Sequence, residues 1–196
     1  MRRTILATVC VVMLCSNASG ADDLKTLVEA AIAAEVKEFD AISERFEKDK
    51  LKPGESVALF GKKPLSKKEK LAKLQEIREQ VFAGEVTFRV LKGSARVGDC
   101  GRLFETGIKI RQVVGDDAFL GGWWDDFVEF PPWLFRGVPG ANKFVDGDGI
   151  RITMPMLVTG RYSYSTVGAG MKTTFVVEPL SVCVAKVAAA KKKAKK

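Results

Sequence analysis

Histidine is absent from all 196 residues. That excludes the Ser-His-Asp and Cys-His catalytic sets and every histidine-ligated metal site. Cysteine is scarce: of four, Cys10 and Cys15 lie within the first 20 residues, leaving Cys100 and Cys183. These two stand too far apart for a CxxC redox motif or a zinc knuckle. No GxxxxGK[ST] phosphate cradle occurs, and no GxGxxG opens a helix after a strand. No cofactor and no metal are expected. Long apolar runs are missing too, apart from ten residues near the start.

Those ten, Ile5 to Leu14, follow the positive Arg2 and Arg3 and precede Ala18-Ser19-Gly20. A charged start, a short apolar run and small residues before Ala21 are the pattern of a cleaved secretion signal over residues 1–20. A membrane anchor is the competing reading. Ten residues rise only about 15 Å as a helix, roughly half of a bilayer's hydrocarbon core. A lipid anchor at Cys15 is disfavoured by Leu14, where a small residue is expected. The sequence therefore predicts an exported chain, periplasmic or extracellular, free or envelope-associated, with no transmembrane span after residue 20. In an oxidising compartment Cys100 and Cys183 are expected to bridge, closing a long loop and contributing about 4–5 kcal/mol. Two buried free thiols are the alternative, cysteine being a common small core residue.

The formal charge of +8 also has a location. Arg2 and Arg3 belong to the signal. Lys186, Lys191, Lys192, Lys193, Lys195 and Lys196 belong to the last eleven residues, and the body between is neutral. A folded nucleic-acid binder carries a basic face of its own, so the neutral body argues against nucleic acid as a partner. A lysine–alanine tail over 186–196 with no apolar face is expected to be disordered. It can tether the protein to anionic cell-envelope polymer or lipid headgroups.

From Leu24 to Phe46 apolar residues recur about every 3.7 positions, predicting an amphipathic helix over about 23–49. Lys52-Pro53-Gly54 is read as its end, and 51–65 as a linker. Ser66-Lys67-Lys68-Glu69 matches the capping box, predicting a second helix to about Phe82. At Glu85 the period changes to two. Val86–Val90, Ile108–Val114, Ala118–Leu120, Ile150–Met154, Met156–Thr159, Tyr162–Val167 and Lys172–Val177 read as strands separated by turn residues. Gly168-Ala169-Gly170 predicts a three-residue hairpin loop that sets Thr166 opposite Lys172 and Tyr164 opposite Thr174. The expected fold class is α+β: a helical hairpin or helix pair over 21–84, then a small antiparallel β-barrel of OB or SH3-like kind over 85–185.

Trp123, Trp124, Asp125, Asp126 and Trp133 make the most unusual segment, holding all three tryptophans beside acidic side chains. Planar rings with carboxylates can stack on and hydrogen-bond a sugar, so a glycan is a candidate ligand. Packing into the core is the competing reading. Asp125, Asp126 and Glu129 can also be imagined as a glycosidase carboxylate pair, although nothing sets two of them at working separation. Asp146-Gly147-Asp148-Gly149 lacks the third ligand and the glycine spacing of a calcium loop and reads as a turn. Tyr162 and Tyr164 share one face of their strand, where they can stack bases or cover core.

Phe135-Arg136-Gly137-Val138, Phe144-Val145-Asp146-Gly147-Asp148, Val158 through Gly168 and Lys172 through Pro179 carry a likeness. Over residues 134–180 the chain resembles a β-domain of small exported bacterial proteins of unknown function. The resemblance implies an OB-like fold and brings no catalytic residues. The functional expectation is an exported, non-catalytic protein engaged in binding or assembly. The alternatives are an OB-like nucleic-acid-binding module and a carboxylate-dependent exported hydrolase.

Overall fold

A computed structural model describes residues 21–91, 94–103, 107–123, 132–166 and 170–194 of the chain. The apolar periodicity that follows residue 20 builds α1, Ala21–Glu47. Its buried positions are Val28, Ala31, Glu35, Phe39 and Ile42, spaced three or four residues apart as one helical face requires. The helix stops at Glu47, before Pro53 is reached. Pro53 starts α2, Pro53–Phe60, inside the stretch expected to be a linker. At the first helical position proline's missing N–H leaves no bond unmade, and Glu55 Oε2 accepts from the Lys52 amide at 3.2 Å. Ser66 caps α3, Lys67–Phe82, as its motif predicts. Ser66 Oγ accepts from the Glu69 amide at 3.4 Å and Glu69 Oε2 accepts from the Ser66 amide at 2.7 Å. The second half of α1 packs with α2 and α3 around Phe39, Ile42, Phe60, Leu74 and Val81. The expected helix pair is thus a trio.

The alternating segment Val86–Val90 is not a strand; only Val90 makes an isolated bridge, to Arg102. Phe88 and the Arg89 side chain are held by α1 instead. The Phe88 amide donates to Glu35 Oε2 at 2.9 Å and the Phe88 ring lies 6.1 Å from that of Phe39.

Among the described residues seven strands follow: β1 (Cys100–Gly101), β2 (Ile108–Val113), β3 (Ala118–Trp123), β4 (Trp133–Arg136), β5 (Gly149–Ile150), β6 (Met156–Thr166) and β7 (Gly170–Pro179). They form one sheet in the order β1-β6-β7-β4-β3-β2-β5. β4 and β7 run parallel and every other pair antiparallel. The sheet is mixed and open, which corrects the expected closed antiparallel barrel. Its two edge strands are only two residues long, too short to supply a closing ladder, and among the described residues none pairs them. The turn reading of Asp146–Gly149 stands: Asp146 Oδ1 accepts from Val113 N at 2.7 Å and Asp148 Oδ2 from Val145 N at 3.0 Å.

Phe119, Phe135, Val177 and Val158 lie in register across β3, β4, β7 and β6 and form the centre of the main core. The Phe119 and Phe135 rings stack at 5.0 Å. Gly121 is required beside them, because a Cβ there would sit 2.7 Å from Ile108 Cγ2. The opposite face carries Cys100, Leu157 and Glu178 in register, then Leu134, Val176, Tyr162 and Tyr164 farther along.

The β6–β7 hairpin pairs Thr166 with Gly170, Tyr164 with Lys172 and Tyr162 with Thr174. That is two residues away from the register read from the glycines, with residues 167–169 outside the described part. A two-residue slip keeps every side chain on its expected face, whereas one residue would have inverted them.

After Pro179 the chain forms α4, Leu180–Lys193. This corrects the expected disordered tail over its first eight residues, 186–193. Leu180, Cys183 and Val187 supply a buried stripe that docks the helix on α1 and the sheet, and docking overrides the lysine repulsion. Lys195 and Lys196 lie outside the described residues. No described helix is long and apolar enough to cross a membrane.

Candidate functional site

Strand β7 runs directly into α4, so the helix emerges from the middle of the sheet with a fixed direction. Its apolar stripe meets Val28 and Ala31 of α1 and Leu157 of β6. Beside this stripe Lys186 pairs with Glu178, a nearly buried β7 carboxylate that also accepts from Thr159 Oγ1 at 3.3 Å. Farther out Lys191 Nζ approaches Glu29 Oε1 at 3.5 Å with both side chains more than half exposed, a pair worth little. Lys192 and Lys193 are exposed and form no ion pair with any described residue. Three consecutive lysines on a helix are about 100° apart around the axis. They ring the end of α4 as a cationic tip, at the terminus where the helix dipole favours positive charge.

Cys100 and Cys183 belong to the cluster beneath α4, and both are buried free thiols. The expected bridge is not formed; here the two residues act as small core side chains. Burial, with the nearby Glu35 carboxylate adding to it, pushes the Cys100 thiol up to about 12. Burial, with Glu178 adding to it, pushes Cys183 up to about 12 as well. Thiols so held are protonated at neutral pH, and it is the thiolate that attacks or ligates.

Glu35 was not legible as a special residue. It is fully buried, accepts from Arg89 Nε at 2.7 Å as well as from the Phe88 amide, and clamps the 85–91 segment to α1. The available signal was its position, four residues after Ala31 and four before Phe39 on the buried stripe. Arg89 also lines a cavity of about 160 Å³ with Leu91, Ser94, Asp99 and Cys100. Among the described residues no group of three histidine, cysteine or acidic side chains is placed to hold a metal.

The aromatic segment is divided. Trp133 is 2% exposed and packs edge-on to Phe175 at 5.9 Å in the main core. It is a core residue and not a stacking surface for a ligand. The Trp123 backbone ends β3 opposite Ile108. Trp124, Asp125, Asp126 and Glu129 lie outside the described residues, so the glycan and hydrolase readings have no described geometry. Tyr162 and Tyr164 are half-buried with parallel rings, their centroids 6.3 Å apart. No family model, no curated protein and no solved structure matches this chain.

Proposed function

We propose that this chain is an exported, non-catalytic binding or assembly protein, held to anionic polymer or lipid headgroups of the cell envelope by the lysine tip of α4. The observation that carries the reading is the docking of α4 through Leu180, Cys183 and Val187, which leaves Lys191, Lys192 and Lys193 at a defined, exposed end. A lysine near an anionic membrane surface contributes about 1 kcal/mol. On a docked helix the three need not be gathered from a coil before they act, so little ordering entropy opposes them. The neutral body supports the same assignment, since it offers no competing net charge.

The test is co-sedimentation with phosphatidylglycerol-containing vesicles and with pure phosphatidylcholine vesicles, at low and at high salt. The protein should pellet with the anionic vesicles at low salt and be released as salt screens the attraction. Equal behaviour with both vesicle types, or retention unmoved by salt, would refute the proposal.

A further inference from the structure

Strand β6 is eleven residues long, yet β1 covers only its first two, Met156 and Leu157. Gly98 and Asp99 bond to Val158, and there the cover stops. From Gly160 to Thr166 one edge of β6 pairs with β7. Among the described residues no strand pairs with the other edge, and no turn or loop backbone bond reaches it. Among the described residues this stretch of β6 is therefore hydrogen-bonded as a strand on one side only, and two strands alone are marginally stable in water. A run of unpaired N–H and C=O groups is a template for another strand.

Proteins usually guard such an edge with proline, lysine, a bulge or a covering segment. Residues 160–166 contain no proline and no lysine. The bulge of β6, between Val158 and Gly160, sits at the base of this stretch and leaves seven regular residues beyond it. The side chains of Arg161, Ser163 and Ser165 do not block the approach. Ser163 Oγ shares a hydrogen bond with Thr173 Oγ1 at 3.1 Å, Ser165 Oγ contacts Met171 Sδ, and the Arg161 guanidinium lies over the Phe175 ring. Each is turned across the hairpin towards β7.

We infer that the Gly160–Thr166 edge of β6 pairs antiparallel with the same edge of a second copy of this chain. The free stretch is self-complementary about its central residue. With Ser163 opposite Ser163 of the other copy, Arg161 meets Ser165, Tyr162 meets Tyr164, and Gly160 meets Thr166. No like charges face each other, and the single charged side chain of the edge is opposed by a neutral one. The alternation of β6 puts all four tyrosines of the pair on one face, where aromatic cross-strand neighbours are favourable. The two hairpins become a four-stranded sheet with a two-fold axis, the isologous closure that most homodimers use. β7 offers a poorer edge, since it presents Lys172 and begins at Gly170 with φ +71°.

The experiment is sedimentation velocity over a micromolar to millimolar series with the parent protein, Ser163→Glu, Ser163→Lys and an equimolar mixture of the two variants. Circular dichroism checks that each is folded. The parent should pass from monomer to dimer with concentration. Each variant alone sets like charges opposite on the axis and should self-associate about tenfold more weakly or worse. The mixture sets opposite charges there and should recover the parent's dimer. A parent that stays monomeric, single variants that dimerise like the parent, or a mixture no better than its components would each overturn the inference. Hydrogen exchange of the parent gives a second reading: the alternate amides within Arg161–Ser165 that face away from β7 should gain protection as concentration rises, and unchanged exchange of these also overturns it.

Discussion

Replacing Glu35 with alanine removes the acceptor of two hydrogen bonds at once: from Arg89 Nε at 2.7 Å and from the Phe88 amide at 2.9 Å. Glu35 is fully buried while the Arg89 side chain is 39% exposed. Breaking a buried pair by removing one partner costs about 3–5 kcal/mol when the other charge is stranded. Arg89 can return to water, so the lower end applies, about 3 kcal/mol, much of it from the Phe88 amide left without its acceptor. Against a total stability of about 5–15 kcal/mol this is a large fraction. With an m-value of about 2 kcal/mol/M, the urea midpoint should fall by about 1.5 M. Glu35→Gln keeps the shape and an oxygen for the Phe88 amide, and should cost about half as much. The assay is urea denaturation followed by far-ultraviolet circular dichroism. Glu35→Ala within about 0.5 kcal/mol of the parent would refute the claim that this carboxylate clamps the 85–91 segment to α1.

The two thiols at about 12 ionise in the unfolded chain first, whose cysteines titrate near 8.5. Their contribution is therefore intact below about pH 8.5 and declines as pH rises towards 12, by about 1.4 kcal/mol per pH unit for each thiol. Urea midpoints of the reduced protein at pH 8, 9 and 10 should fall more steeply than those of a Cys100→Ala, Cys183→Ala variant; equal slopes would show that the thiols are not buried. Trp133→Ala empties a site in the main core and should cost about 3–5 kcal/mol by the same denaturation assay. A loss below about 1 kcal/mol would place the ring at the surface, as a glycan-stacking residue requires.

Periodicity made α1 and α3 legible, and a reciprocal cap made the start of α3 legible to the residue. Both signals are local. Strand positions were visible for the same reason in Ile108–Val113 and along β6 and β7. α2 is hidden because Pro53-Gly54 carries the signal of a break, although proline is as much at home at the first position of a helix. α4 was hidden because its stripe of Leu180, Cys183 and Val187 was divided between a presumed strand domain and a presumed tail. Lysine repulsion then decided the reading, and what outweighs it is tertiary contact with α1 and Leu157, which no window of sequence contains. Sheet closure is equally non-local. Alternation says which faces are wet or dry, but says nothing about whether β1 and β5 meet. Val86–Val90 alternates correctly and still forms no more than the Val90–Arg102 bridge, because Glu35 claims the Phe88 amide and Phe39 the Phe88 ring. The thiols and Trp133 are conspicuous in the sequence, while the burial of the thiols beneath α4 and of Trp133 in the main core depends on packing.

Affinity for phosphatidylglycerol vesicles, compared between the parent and a variant carrying Lys191→Gln, Lys192→Gln and Lys193→Gln, bears most directly on the role assigned to α4. Three lysines at about 1 kcal/mol each correspond to a loss of about 150-fold, with the melting temperature of the body unchanged. A variant that binds as tightly as the parent would contradict the account.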